Sequence, residues 1–201
     1  IEISDNGNDP LKNATLHYNY VVEPESPFSD IQDPGAYYYD AVLWASKNDI
    51  TQGVGDGKFA PDNACKRAQV VTFLWRAMGS PEPTRSDCPF DDVAAGSYYY
   101  KAVLWAVENG ITLGTGDGTF SPNATCTRAQ SVTFLYRALG TAPTTVNGFT
   151  DVTADAFYAD AVAWAVESGV TNGTSASTFS PNAGCTRAQI VTFLYRAYQG
   201  K

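Results

Sequence analysis

The fold is decided by the stretch Cys126-Thr127-Arg128-Ala129-Gln130, which runs into Ser131-Val132-Thr133-Phe134-Leu135-Tyr136-Arg137-Ala138-Leu139-Gly140. Two further copies begin at Cys65-Lys66-Arg67-Ala68-Gln69 and at Cys185-Thr186-Arg187-Ala188-Gln189. The motif arginines are separated by 61 and 59 positions. A repeat this regular predicts one domain built from three modules, because a single short helical pair cannot bury its apolar face alone.

The motif carries the start signal of a helix. Thr127 and Thr186 suit the N-cap position, where the hydroxyl accepts a hydrogen bond from a free backbone N–H. Gln130 and Gln189 follow three residues later and complete a capping box, whereas Lys66 interrupts the box in the first copy. Apolar residues then recur at helical spacing, so we predict three amphipathic helices.

A second repeated unit precedes each motif. It opens with an aromatic residue and an aspartate, in Phe28-Ser29-Asp30-Ile31, Phe90-Asp91-Asp92-Val93 and Phe149-Thr150-Asp151-Val152. Helical patterns follow at roughly 37–48, 98–109 and 157–168, and each contains one tryptophan (Trp44, Trp105 and Trp164). We therefore predict a mainly all-α fold of three helix-loop-helix modules, at 28–86, 87–146 and 147–201.

Residues 1–27 do not match the repeat. Apolar and polar residues alternate from Ala14 to Glu23, which predicts a β-strand, and Ile1-Glu2-Ile3 is a candidate second strand. Because a short hairpin is marginal in water, three interpretations stay open. The arm packs on the repeats, it is the end of a lost upstream β-domain, or it pairs with another subunit.

Composition excludes several classes of function. The net charge is −8 and no basic run occurs, so nucleic acid is a poor partner. No apolar run is long enough to insert into a membrane. The single histidine, His17, argues against Ser-His catalysis and His-ligated zinc. We predict a non-catalytic protein without metal or cofactor. Since the chain begins with Ile1, we expect a processed product or a fragment.

The combination of these motifs resembles the S-layer homology (SLH) family over about residues 28–200. The family pattern consists of F-x-D-[IV], an Ala-Val-x-Trp-Ala helix, G-x-x-x-G-x-F-x-P and T-R-A-E, in three tandem copies. The resemblance implies a pseudo-threefold, all-helical spindle with a central three-helix bundle. It also implies binding to secondary cell-wall polysaccharide, often pyruvylated, and therefore an extracellular location at the bacterial cell surface.

The resemblance further implies that Arg67, Arg128 and Arg187 pair with a ligand carboxylate in grooves between the prongs. A guanidinium suits this role because its planar fork matches a carboxylate. A purely structural hydrogen-bond network is the alternative for these arginines. The chain has glutamine where the family has glutamate, so the predicted ligand set also contains Gln69, Gln130 and Gln189. The third loop lacks Gly-Asp-Gly, which leaves open the role of the groove that it lines.

Other residues have two interpretations each. The tyrosine runs at 37–39 and 98–100 cannot bury every ring, so Tyr38 and Tyr99 are candidates for stacking on sugars. The three tryptophans fit the core better than a sugar platform. Asp30, Asp92 and Asp151 suit a turn or cap before the first helix better than paired-carboxylate catalysis.

The motif cysteines Cys65, Cys126 and Cys185 replace an apolar position, which favours buried free thiols. Cys88 has no counterpart in the repeat. A disulfide between Cys88 and Cys65 or Cys126 is a candidate pairing, and a three-cysteine metal site is a weaker one.

Two functions therefore compete. The chain binds anionic wall polysaccharide and anchors protein to the bacterial wall, or it is a self-assembling subunit of a surface layer, filament or tube. In the second case residues 1–27 supply a contact between copies of the chain, and a head-to-tail contact that does not close gives a polymer.

Overall fold

The structure, a computed structural model, describes residues 2–4, 15–17 and 25–199. These residues form two strands, β1 (Glu2–Ser4) and β2 (Thr15–His17), and six helices. The helices are α1 (Tyr39–Lys47), α2 (Arg67–Ala77), α3 (Tyr100–Glu108), α4 (Arg128–Leu139), α5 (Ala159–Glu167) and α6 (Arg187–Gln199). The mainly helical, three-repeat architecture predicted from the sequence is confirmed.

Strands β1 and β2 pair antiparallel, with Ile3 opposite Leu16. The short second strand predicted near the start of the chain is therefore present, and the alternating pattern forms a strand at Thr15–His17. The rest of that pattern, Ala14 and the stretch from Tyr18 to Glu23, lies outside the described residues.

The helices pack in a closed ring. Each motif helix packs against the first helix of the following module, so α2 contacts α3 and α4 contacts α5, and α6 closes the ring on α1. The Tyr198 hydroxyl of α6 donates a hydrogen bond of 2.7 Å to the Ala77 carbonyl oxygen at the end of α2. Helices α2, α4 and α6 also contact one another, which forms the predicted central bundle.

The tryptophans of α1, α3 and α5 pack in or against the core. Trp105 and Trp164 are buried, and Trp44 packs its ring against Tyr195 and Tyr198 of α6. They belong to the core, as their helical spacing indicates.

Three backbone hydrogen bonds surround the pseudo-threefold axis. The N–H of Cys65 donates to the carbonyl of Cys185, that of Cys126 to Cys65, and that of Cys185 to Cys126, at 2.8, 2.9 and 2.9 Å. The three side chains are buried. This ring fixes the starts of the motif helices relative to one another.

The predicted disulfide between Cys88 and Cys65 or Cys126 is not formed, because all four cysteines are free thiols. Cys65 and Cys126 are held at the axis with no exposed surface. Cys88 instead lies at the start of the second module, directly after the linker. That linker is fastened to α3, where Glu108 accepts hydrogen bonds from the Thr84 hydroxyl and the Arg85 N–H.

The aspartates lie in turns before the first helices, as predicted, but their carboxylates bind a distant loop and do not cap those helices. The carboxylate of Asp92 accepts hydrogen bonds from the N–H groups of Phe120 and Ser121, at 2.8 and 2.7 Å. Asp30 and Asp151 bind the matching loop residues in their own modules. Ser121 has a φ of 57°, a conformation that few residues adopt without support. Each aspartate therefore clamps a strained loop nearly thirty residues away.

Candidate functional site

The motif arginines join neighbouring modules. Arg67, the first residue of α2, is 2% exposed, and its Nε donates a hydrogen bond of 2.9 Å to the carbonyl oxygen of Phe120. Its guanidinium carbon lies 4.8 Å from the centre of the Phe120 ring. Arg128 makes the same contacts with Phe179, and Arg187 makes them with Phe59. The structural network considered for these residues therefore exists.

That network does not satisfy every guanidinium nitrogen. Among the described residues, the Nη2 atoms of Arg67 and Arg187 are buried without a hydrogen-bond partner, whereas Nη2 of Arg128 donates to the Thr171 hydroxyl at 3.3 Å. Burial lowers the pKa of all three guanidinium groups, because it disfavours their charged form. A buried charge without a partner is costly, so these two nitrogens favour an anionic ligand.

The arginines line three cavities at corresponding positions between the modules. The first groove contains Arg187, the second Arg67 and the third Arg128, with volumes of about 350, 410 and 300 Å³. Each also contains the motif glutamine, a second arginine, a buried threonine and an aromatic residue. These are, in turn, Gln69, Arg76, Thr51 and Tyr98; Gln130, Arg137, Thr112 and Phe157; and Gln189, Arg196, Thr171 and Tyr37.

Each groove requires all three modules. In the second groove Arg67 comes from the first module, Thr112 and Gln130 come from the second, and Phe157 comes from the third. The other two grooves are built in the same way, with the three modules exchanging roles in cyclic order. No single module can therefore form a groove alone.

A glycine turn shapes one wall of the second groove. Gly114 has a φ of +86°, and its N–H donates to the Thr112 hydroxyl at 3.1 Å. A Cβ at Gly114 would lie 2.4 Å from the Thr119 carbonyl oxygen and 2.6 Å from the Phe90 ring. Only glycine fits, which explains why Gly53 and Gly173 occupy the equivalent positions.

The predicted glutamines line the grooves and also cap the helices. The Oε1 of Gln130 accepts a hydrogen bond from the Thr127 N–H, and the Thr127 hydroxyl accepts one from the Gln130 N–H. Gln189 and Thr186 form the same box. In the first module Gln69 forms its half of the box, with the Lys66 N–H as donor.

The structure places the aromatic candidates one residue away from the groove walls. Tyr38 and Tyr99 are half-buried, and each packs edge-on behind its neighbour, Tyr37 or Tyr98, with ring centres 5.0 Å apart. Tyr37, Tyr98 and Phe157 line the grooves instead, and they are 60%, 61% and 67% exposed.

Sequence reasoning also missed the second arginines and the buried threonines. Arg76, Arg137 and Arg196 each donate from Nη1 to the carbonyl that follows the first helix of their own module. Both sets recur at matching positions in the repeat, and that recurrence was the available signal.

Neither a metal site nor a membrane-spanning helix occurs among the described residues. There, no group of histidine, cysteine, aspartate or glutamate residues has an arrangement that could hold a metal ion, the axial cysteines included. The described helices also include none with the length and apolar character needed to cross a bilayer.

Comparison with known proteins gives one family. The family model of the S-layer homology domain matches residues 27–71, 89–130 and 148–191. The chain is similar to a cell surface protein of Thermoanaerobacter kivui, with 37% identity over 119 residues, 57% of this chain and 16% of that protein. It is also similar to the surface-layer 125 kDa protein of Lysinibacillus sphaericus, with 36% identity over 118 residues, 58% of this chain and 10% of that protein.

A third relative is the cellulosome-anchoring protein of Acetivibrio thermocellus, with 30% identity over 133 residues, 62% of this chain. The match covers 29% of that protein. The chain therefore spans less than a third of each of these three relatives.

Proposed function

Since the chain belongs to the S-layer homology family, we propose that it binds an anionic, pyruvylated secondary cell-wall polysaccharide and so anchors protein to the bacterial wall. The family and the surface-layer relatives indicate an extracellular location at the cell surface. The S-layer homology domain is a non-catalytic anchoring module, and we assign no reaction to the chain.

One observation carries the proposal: the buried, unpaired Nη2 atoms of Arg67 and Arg187. An anionic oxygen in the groove would provide the missing hydrogen bond and offset the desolvated charge. A carboxylate fits better than a neutral hydroxyl, because its negative charge offsets the desolvated guanidinium charge and its planar pair of oxygens matches the guanidinium fork.

The groove walls suit an acidic sugar. Among the described residues, no aspartate or glutamate lines the three grooves, and each groove contains a second arginine beside the motif arginine. The local charge is therefore positive although the net charge of the chain is −8. Salt screens distant charges beyond about 8 Å at physiological ionic strength, so the groove dominates at contact. Tyr37, Tyr98 and Phe157 offer exposed faces to sugar rings.

The grooves are not equivalent. The Arg128 guanidinium already has Thr171 as a partner, so it has less to gain from an anion than Arg67 or Arg187. We therefore assign binding to the first and second grooves.

Sedimentation with purified Gram-positive sacculi tests the proposal. Arg67→Lys, Arg187→Lys and Arg128→Lys each remove the inter-module hydrogen bond from Nε. Arg128→Lys also removes the hydrogen bond to Thr171, so it is a structural control that loses more protein contacts than the other two variants. We expect Arg67→Lys and Arg187→Lys to lower the pelleted fraction and Arg128→Lys to change it little, at equal thermal stability. Mild acid, which hydrolyses ketals, should abolish pelleting if the ligand is pyruvylated.

The proposal is wrong if the wild type does not pellet with untreated walls, or if all three variants pellet as well as the wild type. Equal weakening in all three variants would retain wall binding and remove the groove assignment.

Self-assembly is the second candidate function. It is favoured by the two-stranded sheet of β1 and β2, since such a sheet has edges that can pair with another chain. Centrifugation without walls tests it. A polymer that disappears when residues 1–27 are removed supports this function, and a chain that stays monomeric at all concentrations contradicts it.

A further inference from the structure

The second groove continues into another cavity. A cavity of about 380 Å³ lies against the second module, and Thr112 and Leu113 line both this cavity and the Arg67 groove. Thr112 is buried and Leu113 is 81% exposed. Leu113 therefore stands as a ridge between the two spaces, and a ligand that leaves the Arg67 groove over this ridge enters the second cavity.

The ridge is apolar in this module alone. The positions equivalent to Leu113 are Gln52 in the first groove and Asn172 in the third. Phe157 faces the second groove with 67% of its surface exposed, where the other grooves have tyrosine. A sugar ring bound over this exposed leucine and phenylalanine would shield their apolar surface from water, which favours binding.

The charges of the two cavities differ. In the part of the chain that the structure describes, Arg67 has a nitrogen without a hydrogen-bond partner, and no carboxylate lines its groove. In the second cavity, Arg85 is paired with Asp87 at 3.1 Å, and Asp117 supplies a further carboxylate. An anion would be attracted to the first space and repelled from the second. Paired guanidinium and carboxylate groups instead offer donors and acceptors to neutral hydroxyls.

The floor of the second cavity also suits a sugar. Phe90 and Val107 provide apolar surface, while Gly116 and Gly118 leave the loop without side chains that would block approach. A Cβ at Gly116 would meet nothing within 4 Å, so its surroundings are open. A pocket with an apolar floor and a few polar groups at its rim is typical of a small-molecule site.

We propose that the Arg67 groove and the Arg85 cavity form one cleft that binds two successive residues of the wall polysaccharide. The acidic residue lies at Arg67, and an uncharged sugar crosses Leu113 and occupies the cavity rimmed by Arg85 and Asp117. The acidic half of this cleft rests on the proposed function.

Calorimetric titration with oligosaccharides of graded length tests the cleft. The probes are an acidic monosaccharide and longer fragments, obtained by enzymatic cleavage of a carboxylated Gram-positive wall polysaccharide so that acid-labile ketals stay intact. The full chain carries Arg187→Lys throughout, which weakens the first groove. We expect a fragment that adds a neutral sugar to bind about tenfold more tightly than the acidic monosaccharide.

Two pairs of variants localise that gain. Arg85→Ala and Asp117→Ala should abolish it and leave the affinity for the monosaccharide unchanged. Lys47→Ala is the control for the lost positive charge, and Asp56→Ala is the control for the loop, since Asp56 and Asp117 have matching φ values of 50° and 48°. Both controls should keep the full gain.

Affinity that does not depend on fragment length would overturn the cleft, as would equal losses in the variants and their controls. The failure of the proposed function looks different: no fragment of any length would bind, or fragments with reduced carboxyl groups would bind equally well.

Discussion

The Nε of Arg67 donates a hydrogen bond of 2.9 Å to the carbonyl oxygen of Phe120, which lies 53 residues later in the next module. The N–H of the same residue, Phe120, donates a hydrogen bond to the Asp92 carboxylate. Equivalent contacts from Arg128 and Arg187 close a ring through all three modules. The residue that presents a charge to the groove is therefore also a residue that holds the fold together.

Arg67→Ala should destabilise the protein. It removes a buried charge-assisted hydrogen bond and the contact with the Phe120 ring, so we expect the free energy of unfolding to fall by about 2–4 kcal/mol. Urea denaturation followed by circular dichroism measures this change. Lys47→Ala, an exposed control, should stay within about 0.5 kcal/mol. An Arg67→Ala variant as stable as the wild type would show that the ring does not stabilise the fold.

Gly114→Ala should damage both the fold and the second groove. The new methyl group would overlap the Thr119 carbonyl and the Phe90 ring at a φ of +86°, so we expect a loss of more than about 2 kcal/mol. Gly110→Ala is the matched control, since Gly110 has a φ of +65° and open space around it. It should cost only about 1 kcal/mol of conformational strain. Equal thermal shifts in the two variants would contradict the steric account.

The sequence predicted the helical modules because their signals are local. The capping box of Thr127 and Gln130, and the spacing of the apolar residues that follow, depend on neighbours within a few turns. The order of packing depends on distant residues instead. No local sequence pattern predicts that α6 packs against α1. The sequence therefore could not show that Tyr37 lines the same groove as Arg128.

Asp151 should make stability depend on pH. Burial alone would raise the pKa of Asp151, but hydrogen bonds from the Phe179 and Ser180 N–H groups outweigh it and lower the pKa. A lowered folded pKa contributes stability above the unfolded value of about 3.9, and this stability is lost as the pH falls through the folded pKa. The denaturation midpoint of Asp151→Asn should therefore lie below that of the wild type at neutral pH, and the two midpoints should converge in acid.

The control for that series is the exposed Lys47→Ala, which removes no carboxylate and should differ from the wild type by a constant amount from neutral pH into acid. A difference between wild type and Asp151→Asn that stays constant from neutral pH into acid would contradict the role of the carboxylate in clamping the loop.

The thiols should differ in reactivity. Cys65, Cys126 and Cys185 are buried at the axis, and burial raises their thiol pKa, for Cys126 to about 12. Since the thiolate is the reactive form, iodoacetamide at neutral pH should label only Cys88 in the native protein and all four after denaturation. Mass spectrometry counts the labels. Cys88→Ser should give no label in the native state, and labelling of an axial cysteine would contradict the closed ring.

The residues of the candidate site could be predicted only in part from the sequence. The motif arginines and glutamines were identified because they belong to the repeated stretch itself. Tyr38 and Tyr99 were preferred over Tyr37 and Tyr98 because a run of three tyrosines does not reveal which ring faces the groove. Its direction depends on the turn before each helix, where α1 and α3 begin two residues later than the pattern indicated.

The central claim is that buried, unpaired guanidinium groups of the first and second grooves bind carboxylate. Its most direct test is calorimetric titration of the chain with a purified carboxylated wall polysaccharide, and with the same polysaccharide after its carboxyl groups have been reduced to alcohols. The account predicts saturable binding to the first that Arg67→Lys weakens, and a loss of at least about tenfold in affinity for the second. Equal affinity for the two polysaccharides would contradict it.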